Sequence, residues 1–408
     1  MTRILFIGHE ASRSGAPMVL LHFLRWLKAN NSQFQVDLLL LRGGDLEKQY
    51  RSVANVYAFP QSELRRMLRR GIEYLKKQRE IETKPKPPKL APFYRKYDAV
   101  VGNTVESLEY LKHFKQKGFH TVCWLHELEY VLKFYSELNF VQLSAYVEEF
   151  IVVSKAVDRM LRQFGIVTKA HLVYEFAKTD IRVNEDPKTI RSQLGIPPDA
   201  FVISGSGTIG WRKGVDLFLQ IASQLAFKNP NFYFVWVGGK SPYSDVEYNQ
   251  TQHDLKQLGL TERVIFTGEQ KDPHRAFAAT DLFVLTSRED PFPLVCLEAA
   301  SLGKPVICFE KAGGMPEFVG QDAGAVIPYG DINAFCEKII YFYDHPKQLE
   351  KAGQAARAKL NSDFSLEKSC RAIEKILSEI SAGKETAEVC RSSGKATTEN
   401  SAARAPII

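Results

Sequence analysis

The fold is decided by one stretch in the C-terminal half of the chain, Asp281 to Phe318, which reads DLFVLTSREDPFPLVCLEAASLGKPVICFEKAGGMPEF. Its first residues, 281–286, form an apolar run typical of a buried strand. Residues 293–302 predict a short helix, and Pro293 can open it because the amide hydrogen that proline lacks would be unpaired there. A second apolar run, 305–309, predicts the next strand. Strands that alternate with helices in this way favour a parallel sheet.

Two carboxylates frame the loop and the helix of this stretch, Asp290 and Glu298, with seven residues between them. The backbone N–H groups of the first helical turn, near Leu294 and Val295, lie between the two acids in sequence. The amino end of a helix favours an anion, whereas carboxylates beside it can accept hydrogen bonds from hydroxyls. A ligand that carries both phosphate and sugar hydroxyls would use both features.

A second anion-binding signal lies upstream, in the loop GSGTIGWRKG that follows an apolar strand at 201–204. Gly205, Gly207 and Gly210 match G-x-G-x-x-G, which alone would indicate a dinucleotide-binding turn. Bulky and charged residues follow the pattern, however, and the next strand ends in two glycines instead of an acid that could hold a ribose. Arg212 and Lys213 therefore favour a phosphate clamp, although a solvated surface pair would have the same sequence.

The N-terminal part of the chain has the same alternation of strands and helices. An apolar run at 4–7 leads through a polar loop to Gly15 and a helical pattern, which is typical of the opening unit of a Rossmann-like fold. Gly15 would let the backbone approach a ligand, or it is only a turn residue. The predicted strand 121–125 ends at His126, which could donate to a substrate hydroxyl or transfer a proton, or could merely satisfy a loop carbonyl.

The positive charge is concentrated in one segment. Residues 63–97 contain twelve Lys or Arg and four Glu, a charge of +8, against +7 for the whole chain. The segment combines a predicted amphipathic helix, 62–80, with the proline-rich run 84–89. This helix either contacts an anionic membrane surface or acceptor, or packs on the sheet with a solvated charged face.

Length and composition predict two domains. With 408 residues, 45% hydrophobic and 25% charged, the chain has the balance of a globular protein and exceeds one ordinary core. The short apolar run near the N-terminus does not resemble a signal peptide or a membrane span, so we expect a cytoplasmic protein. Six scattered cysteines without a C-x-x-C pair favour reduced core thiols, and metal-binding patterns are poor. The predicted bounds are 1–176 and 200–363 for the two Rossmann-like domains, 177–199 for a linker, 364–382 for a C-terminal helix, and 383–408 for a disordered tail.

Taken together, these motifs resemble the retaining glycosyltransferases of family 4, which have the two-domain GT-B fold and use nucleotide-sugar donors. The resemblance extends from about Thr2 to Ile380. The acid pair of the family corresponds to Asp290 and Glu298, and the Lys-Gly of its phosphate loop to Lys213-Gly214. It implies an α/β fold of two Rossmann-like domains that face each other across a cleft, with the C-terminal helix returning to the N-terminal domain.

The resemblance also implies a role for each candidate residue. Glu298 would hold the ribose hydroxyls and Asp290 the hydroxyls of the donor sugar. His126 would contact that sugar near the reacting carbon. Lys213 and Arg212 would stabilise the leaving diphosphate. Further donor contacts would come from Gly207 and from backbone N–H groups at Gly15, Leu294 and Val295.

The family needs no metal as a rule, so we expect no metal or other cofactor besides the sugar nucleotide. The expected acceptor is a glycan, a lipid-linked sugar or a small hydroxyl compound, with peripheral contact to an anionic inner membrane face through Arg65–Lys96 and no nucleic acid partner. Two other functions remain open: a catalytically silent nucleotide-sugar-binding subunit, and a GT-B-like sugar nucleotide epimerase.

Three positions depart from the family pattern. Asp290 is shorter by one methylene than the usual glutamate. A separate arginine after the phosphate-loop strand is missing, and Arg212 is the predicted substitute. Tyr174-Glu175-Phe176 replaces an Asn-Gly pair at the end of the first domain, and the sequence assigns no role to these three residues.

Overall fold

The computed structural model describes residues 1–31, 33–58, 93, 97–134, 137–240 and 245–395. Contacts between residues group the chain into two compact units. The first contains Met1–Trp124, Gln142–Phe150 and Cys370–Ile408, and the second contains Leu125–Val141 and Ile151–Ser369. The domain bounds predicted from the sequence follow the two sheets and differ from the bounds of these units. The predicted domain division stays a prediction.

The first sheet has seven strands in the order β3-β2-β1-β4-β5-β6-β7. Its strands are β1 (Thr2–Gly8), β2 (Phe34–Leu40), β3 (Asn55–Ala58), β4 (Ala99–Asn103), β5 (Thr121–Leu125), β6 (Glu149–Val152) and β7 (Lys169–Leu172). β1 pairs in parallel with both β2 and β4, with Thr2 opposite Phe34 and Ile4 opposite Ala99. Residues 4–7 of β1 are fully buried, as expected for a parallel strand covered on both faces.

Helices connect these strands. They are α1 (Gly15–Asn30), α2 (Glu47–Arg51), α3 (Leu108–Gln116), α4 (Glu129–Phe134), α5 (Glu137–Ser144) and α6 (Lys155–Gln163), with a 3₁₀ turn at Val105–Ser107. The apolar face of α1 lies on the sheet through Val19, Leu20, Phe23 and Leu24, all at most 1% exposed. Phe23 meets Trp124 of β5 edge to face, with ring centroids 5.9 Å apart.

The second sheet has six strands in the order β10-β9-β8-β11-β12-β13. They are β8 (Phe201–Ser206), β9 (Phe232–Val237), β10 (Val264–Phe266), β11 (Leu282–Leu285), β12 (Val306–Phe309) and β13 (Gly324–Ile327). β8 pairs in parallel with both β9 and β11, so the strand order reverses between β8 and β11. Open α/β sheets bind ligands at the carboxyl ends of strands at such a point.

The helices of the second sheet follow the same alternation. They are α7 (Pro187–Gln193), α8 (Val215–Ala226), α9 (Asp245–Gln257), α10 (His274–Ala278), α11 (Leu294–Ser301), α12 (Met315–Val319), α13 (Ile332–Asp344), α14 (Pro346–Ser362) and α15 (Leu366–Lys395), with a 3₁₀ turn at Trp211–Lys213. One apolar core joins α8 to the sheet, where Phe218 packs edge-on against Trp236 at 5.2 Å between ring centroids. The predicted class, two α/β domains with parallel sheets, is confirmed.

Two connecting segments contain more helix than the sequence pattern predicts. The predicted linker 177–199 holds α7, whose N-terminus is capped by the Asp186 side chain and whose Ile190 is fully buried. α15 continues to Lys395, although we expected disorder from residue 383. The reason is that Lys, Glu and Ala favour a helix even where few apolar residues are present. The rest of the predicted tail, 396–408, lies outside the described residues.

The C-terminal helix returns to the first unit, as predicted. Asn31 at the end of α1 donates to the Glu374 carboxylate of α15. The Arg371 guanidinium lies over the Trp26 ring, 5.8 Å from its centroid. Within the described residues, no helix has the length and apolar character needed to cross a membrane.

Candidate functional site

The loop after β8 is shaped by glycines. Gly207 has φ +147°, and a Cβ built on it would lie 2.9 Å from Cδ of Lys213, so the lysine stem passes directly over this glycine. The Trp236 indole N–H donates to the Gly207 carbonyl at 2.9 Å, and a Cβ at Gly205 would lie 2.9 Å from the same indole ring. Two glycines of the G-x-G-x-x-G pattern are thus needed by the protein's own packing.

Lys213 and Asp290 form the centre of the site. The Lys213 Nζ lies 2.6 Å from Asp290 Oδ2, and their side chains are 17% and 7% exposed. The Ser287 hydroxyl donates to the same oxygen at 3.1 Å. Burial by itself would raise the pKa of Asp290, but the charges of Lys213 and Arg212 with the hydrogen bonds from Lys213 and Ser287 lower it below its ordinary value. Asp290 is therefore a buried, ionised carboxylate.

The backbone holds Asp290 rigidly in this position. Its amide donates to the Ala312 carbonyl at 2.7 Å, and a short bridge links it to Gly313. A Cβ at Gly313 would lie 1.7 Å from the Asp290 carbonyl oxygen, and Gly313 has φ +135°. The glycine after β12 is therefore required for the aspartate loop to pack against it.

Arg212 lies beside the same carboxylate. Its NH1 donates to the Glu289 carbonyl at 2.9 Å and lies 3.9 Å from Asp290 Oδ1. The structure therefore brings Arg212 and Lys213 together with Asp290, at the carboxyl ends of the neighbouring strands β8 and β11. Arg212 is partly exposed, with 30% of its side chain accessible.

Helix α11 begins directly after the aspartate loop, with Pro293 as its N-cap and Leu294 and Val295 as its first two residues. The first N–H groups of an α-helix have no acceptor inside the helix. Glu298 lies one turn after Leu294, which places both on one side of the helix. The Glu298 carboxylate lies 3.8 Å from Nε2 of His274, a neighbour that the sequence pattern does not reveal.

His274 interacts with two acids. Its Nδ1 lies 2.8 Å from Asp272 Oδ1, and its Nε2 is the atom that faces Glu298. Burial would lower the pKa of His274, but Glu298 and Asp272 together raise it above its ordinary value. A protonated His274 would thus hold the Glu298 carboxylate in place.

His126 has an unexpected partner, Glu175. The imidazole follows β5, and its Nδ1 lies 2.8 Å from Glu175 Oε1, with the side chains 4% and 6% exposed. Burial lowers the pKa of His126 to about 3. Burial and the negative charge of Asp290 raise the pKa of Glu175 well above its ordinary value, while Lys213 acts in the opposite direction. Both pKa shifts favour the uncharged forms of His126 and Glu175 over an ion pair.

Two other glutamates bind the amino ends of helices. Both carboxylate oxygens of Glu289 accept from the amide of Tyr130 in the first turn of α4, at 3.0 and 2.9 Å. Glu317 of α12 accepts from the first amides of α6, those of Lys155 at 3.1 Å and Ala156 at 3.3 Å. Each carboxylate is thus hydrogen-bonded at the amino end of a helix, which carries a partial positive charge.

The remaining predicted contacts lie elsewhere or outside the described residues. Gly15 is in the first unit, as the first residue of α1, and a Cβ built there meets no atom within 4 Å. Its role in donor binding stays a prediction. The basic segment Arg65–Lys96 lies outside the described residues, apart from Phe93. No group of three or more His, Cys, Asp or Glu side chains that could hold a metal occurs in the part of the chain that the structure describes.

The site and its sheet define a class. Two α/β units with parallel sheets are the architecture of the GT-B fold. Residues 186–359 match the family model described as glycosyl transferases group 1. This stretch, which contains the whole second sheet, is similar to that family, and the resemblance predicted from the sequence is confirmed.

Individual relatives agree with this placement. The chain is 26% identical over 219 residues to the lipopolysaccharide core biosynthesis glycosyltransferase LpsD of Rhizobium meliloti, covering 54% of this chain and 60% of LpsD. It is 27% identical over 223 residues to the GDP-mannose-dependent monoacylated alpha-(1-6)-phosphatidylinositol monomannoside mannosyltransferase of Corynebacterium glutamicum, covering 51% of this chain and 56% of the relative. The chain thus spans somewhat more than half the length of these two relatives.

A solved structure matches over a longer part of the chain. HepE of Anabaena, crystallised in complex with UDP-glucose, superposes with a TM-score of 0.76 at 21% identity and covers 93% of this chain and all of HepE. At this identity the match establishes the fold alone.

Proposed function

We propose that the chain is a retaining glycosyltransferase, which moves a hexose from a nucleoside diphosphate sugar to a hydroxyl acceptor. The observation that carries this proposal is the buried Lys213–Asp290 pair, 2.6 Å apart, which lies at the strand-order reversal, with Asp290 in the loop that leads into α11. A cation, a carboxylate and a helix end side by side suit a ligand with both phosphate and sugar hydroxyls.

The diphosphate is assigned to the cations. An ammonium group has three N–H donors, and one of those on Lys213 is used by Asp290. The other two can reach phosphate oxygens, together with the Arg212 guanidinium and the backbone at Leu294 and Val295. Negative charge grows on the leaving phosphate as the glycosidic bond breaks. Fixed cations at this position therefore stabilise the transition state more than they stabilise the bound donor.

The sugar hydroxyls are assigned to the acids. The hydrogen bonds that Lys213 and Ser287 donate to Asp290 both reach Oδ2. This leaves Oδ1, 3.9 Å from Arg212 NH1, to accept from a hydroxyl of the hexose. Glu298, on the same helix as Leu294, is assigned to the ribose.

His126 favours the retaining mechanism. An imidazole whose pKa is lowered to about 3 is a weak base near neutral pH. It is therefore suited to a hydrogen bond with the donor sugar and unsuited to removing the acceptor's proton. In the mechanism we propose, the acceptor hydroxyl attacks on the same face from which the phosphate leaves, and the leaving phosphate takes its proton. No protein nucleophile and no metal are required, so transfer should persist in EDTA.

Donor binding and product stereochemistry test the proposal. We expect Lys213→Ala and Glu298→Ala to weaken the binding of one nucleoside diphosphate sugar at least about tenfold by calorimetry, the loss of roughly 1.4 kcal/mol expected from one charged hydrogen bond. Lys188→Ala is the matched control, because Lys188 is 62% exposed and pairs with Asp199 on the surface.

Unchanged binding in both variants over a panel of sugar nucleotides would overturn the proposal. For any active donor, NMR of the product should show the anomeric configuration of the donor. A bound donor that is neither hydrolysed nor transferred with acceptor mixtures would indicate a silent binding subunit. Conversion of the donor without an acceptor would indicate an epimerase.

The acceptor is proposed from the relatives. LpsD is named for lipopolysaccharide core biosynthesis and the Corynebacterium enzyme for a phosphatidylinositol monomannoside, so we propose a glycan or lipid-linked acceptor. A charge of +8 in residues 63–97 supports peripheral contact with an anionic membrane surface. Vesicles containing an anionic phospholipid should bind the parent chain and release a variant with Arg65, Arg66, Arg69 and Arg70 changed to Gln. Equal binding by both proteins would refute this contact.

A further inference from the structure

Glu175 belongs to the third departure from the family pattern, and it contacts His126, one of the predicted site residues. It lies 2.8 Å from Nδ1 of His126 and is 5% exposed. A carboxyl group in this position, away from water, is costly unless it has a partner. The sequence alone gives it no role, and no part of the proposed function uses it.

We propose that Glu175 is a positioning residue, which holds the His126 ring through Nδ1 and thereby makes Nε2 the nitrogen that carries the proton toward the donor sugar. This inference rests on the proposed function for the identity of the sugar ligand, but the arrangement of the proton is a property of the chain itself.

The proton between Glu175 and Nδ1 of His126 can belong to either group. If Glu175 is a carboxylic acid, its O–H can donate to Nδ1, and the neutral imidazole then carries its hydrogen on Nε2. If Glu175 is ionised, Nδ1 must carry the hydrogen, and a neutral ring then has a bare Nε2 that can only accept. A protonated Glu175 is therefore what allows a neutral His126 to donate at Nε2 while its Nδ1 stays hydrogen-bonded to Glu175.

The surroundings favour the first arrangement. The charges that act on Glu175 are Asp290, which opposes ionisation, and Lys213, which favours it. Because Lys213 is already paired with Asp290 at 2.6 Å, burial dominates and raises the pKa of Glu175, which favours the protonated acid. The adjacent Glu127 carboxylate accepts a hydrogen bond from the His126 backbone amide at 3.0 Å.

The consequence for the reaction is a fixed donor. A neutral Nε2–H next to the sugar can hydrogen-bond a hydroxyl without competing for the acceptor's proton. Glutamine in place of Glu175 would preserve this arrangement, because its amide N–H₂ can donate to Nδ1 as the carboxylic acid does. Leucine has a similar size and would leave Nδ1 without a donor.

The test is nitrogen NMR of the full chain labelled with ¹⁵N-histidine, with His126 assigned by the loss of its signals in His126→Gln. We expect the parent and Glu175→Gln to show Nδ1 unprotonated and Nε2 protonated, unchanged from pH 5 to pH 8. Glu175→Leu should lose this fixed tautomer. A protonated Nδ1 in the parent, or titration of His126 near its ordinary pKa, would overturn the proposal whether or not the chain transfers sugar.

Kinetics give the second readout. With a donor and acceptor identified, Glu175→Leu should lower kcat about 10- to 100-fold, by analogy with the loss of a partner that orients a metal-ligating histidine. Donor affinity should change less than about twofold, and Glu175→Gln should restore most of kcat. Thermal melts show whether each variant is folded. Equal loss in the Gln and Leu variants, with both folded, would refute a role that depends on a donor to Nδ1.

Discussion

Replacing Lys213 with alanine tests the electrostatic centre of the site without any knowledge of the substrate. The change would leave the Asp290 carboxylate, 7% exposed, without the ammonium 2.6 Å away. Removing one partner of a buried ion pair costs about 3–5 kcal/mol. Because Ser287 still donates to Oδ2 and Arg212 remains 3.9 Å from Oδ1, we expect a loss near the lower end, about 3 kcal/mol in the free energy of unfolding.

A double-mutant cycle separates this effect from general damage to the loop. Asp290→Asn removes the charge that Lys213 neutralises, so Lys213→Ala combined with Asp290→Asn should lose less than the sum of the single changes. The difference should be about 1–3 kcal/mol. Unfolding in urea, followed by tryptophan fluorescence and by circular dichroism, measures all four proteins. Additive losses would show that the two side chains do not interact in solution.

The pH dependence has a definite sign. In the parent, the lowered pKa of Asp290 contributes stability above its unfolded pKa of about 3.9, and this contribution is lost as the pH falls through the folded pKa. Without Lys213, burial dominates and the folded pKa lies above the unfolded value, so acid relieves the penalty instead. The stability difference between parent and variant should therefore be largest near pH 7 and narrow toward pH 4. A constant difference, or a loss below about 1 kcal/mol, would refute this account of the pair.

Two further perturbations address neighbouring features. Gly207→Ala should destabilise the fold by at least about 1 kcal/mol and weaken donor binding measured by calorimetry, because its Cβ would lie 2.9 Å from Lys213 Cδ. Gly195→Ala is the control for backbone strain, because Gly195 has φ +74° and no atom within 4 Å of the built Cβ. An equal effect of both changes on donor binding would show that the contact with Lys213 is unimportant. His274→Gln should lower the melting temperature most at pH 6 and progressively less toward pH 9. Because the pKa of His274 is raised in the folded protein, its charge stabilises the fold below the unfolded pKa of about 6.5, and this contribution is lost as the pH rises through the folded pKa. A difference in melting temperature that is independent of pH would contradict the pairing of His274 with Glu298.

Much of the fold could be predicted because buried parallel strands are continuous apolar runs. β5 has the predicted bounds, Thr121–Leu125, and the strand, loop and helix around Asp290 lie where the stretch 281–318 indicates. The pairing of Lys213 with Asp290 was harder to anticipate, since 77 residues separate them. The pairing can be understood once β8 and β11 are known to be neighbours in the sheet. The alternation of strands and helices predicts a parallel sheet but not the order of its strands.

Glu175 could not be predicted from local sequence. A glutamate between two aromatic residues has no periodicity and matches no motif, and its function depends on His126, 49 residues earlier. The available signal was the departure from the family's Asn-Gly at this point. The helical part of the C-terminal tail has a different cause, because residues with helix propensity can form a helix where the apolar content is low.

Glu289 and Glu317 have a consequence for where an anion can rest. Near Asp290, two helix ends that would otherwise attract phosphate are already bound by carboxylates of the same unit, those of α4 and α6. An incoming diphosphate would be repelled at both ends and attracted where Lys213, Arg212 and the first turn of α11 lie together. The two glutamates would then disfavour anion binding at two of three helix ends that are similar in their backbone chemistry, so that the diphosphate binds at the third, the amino end of α11.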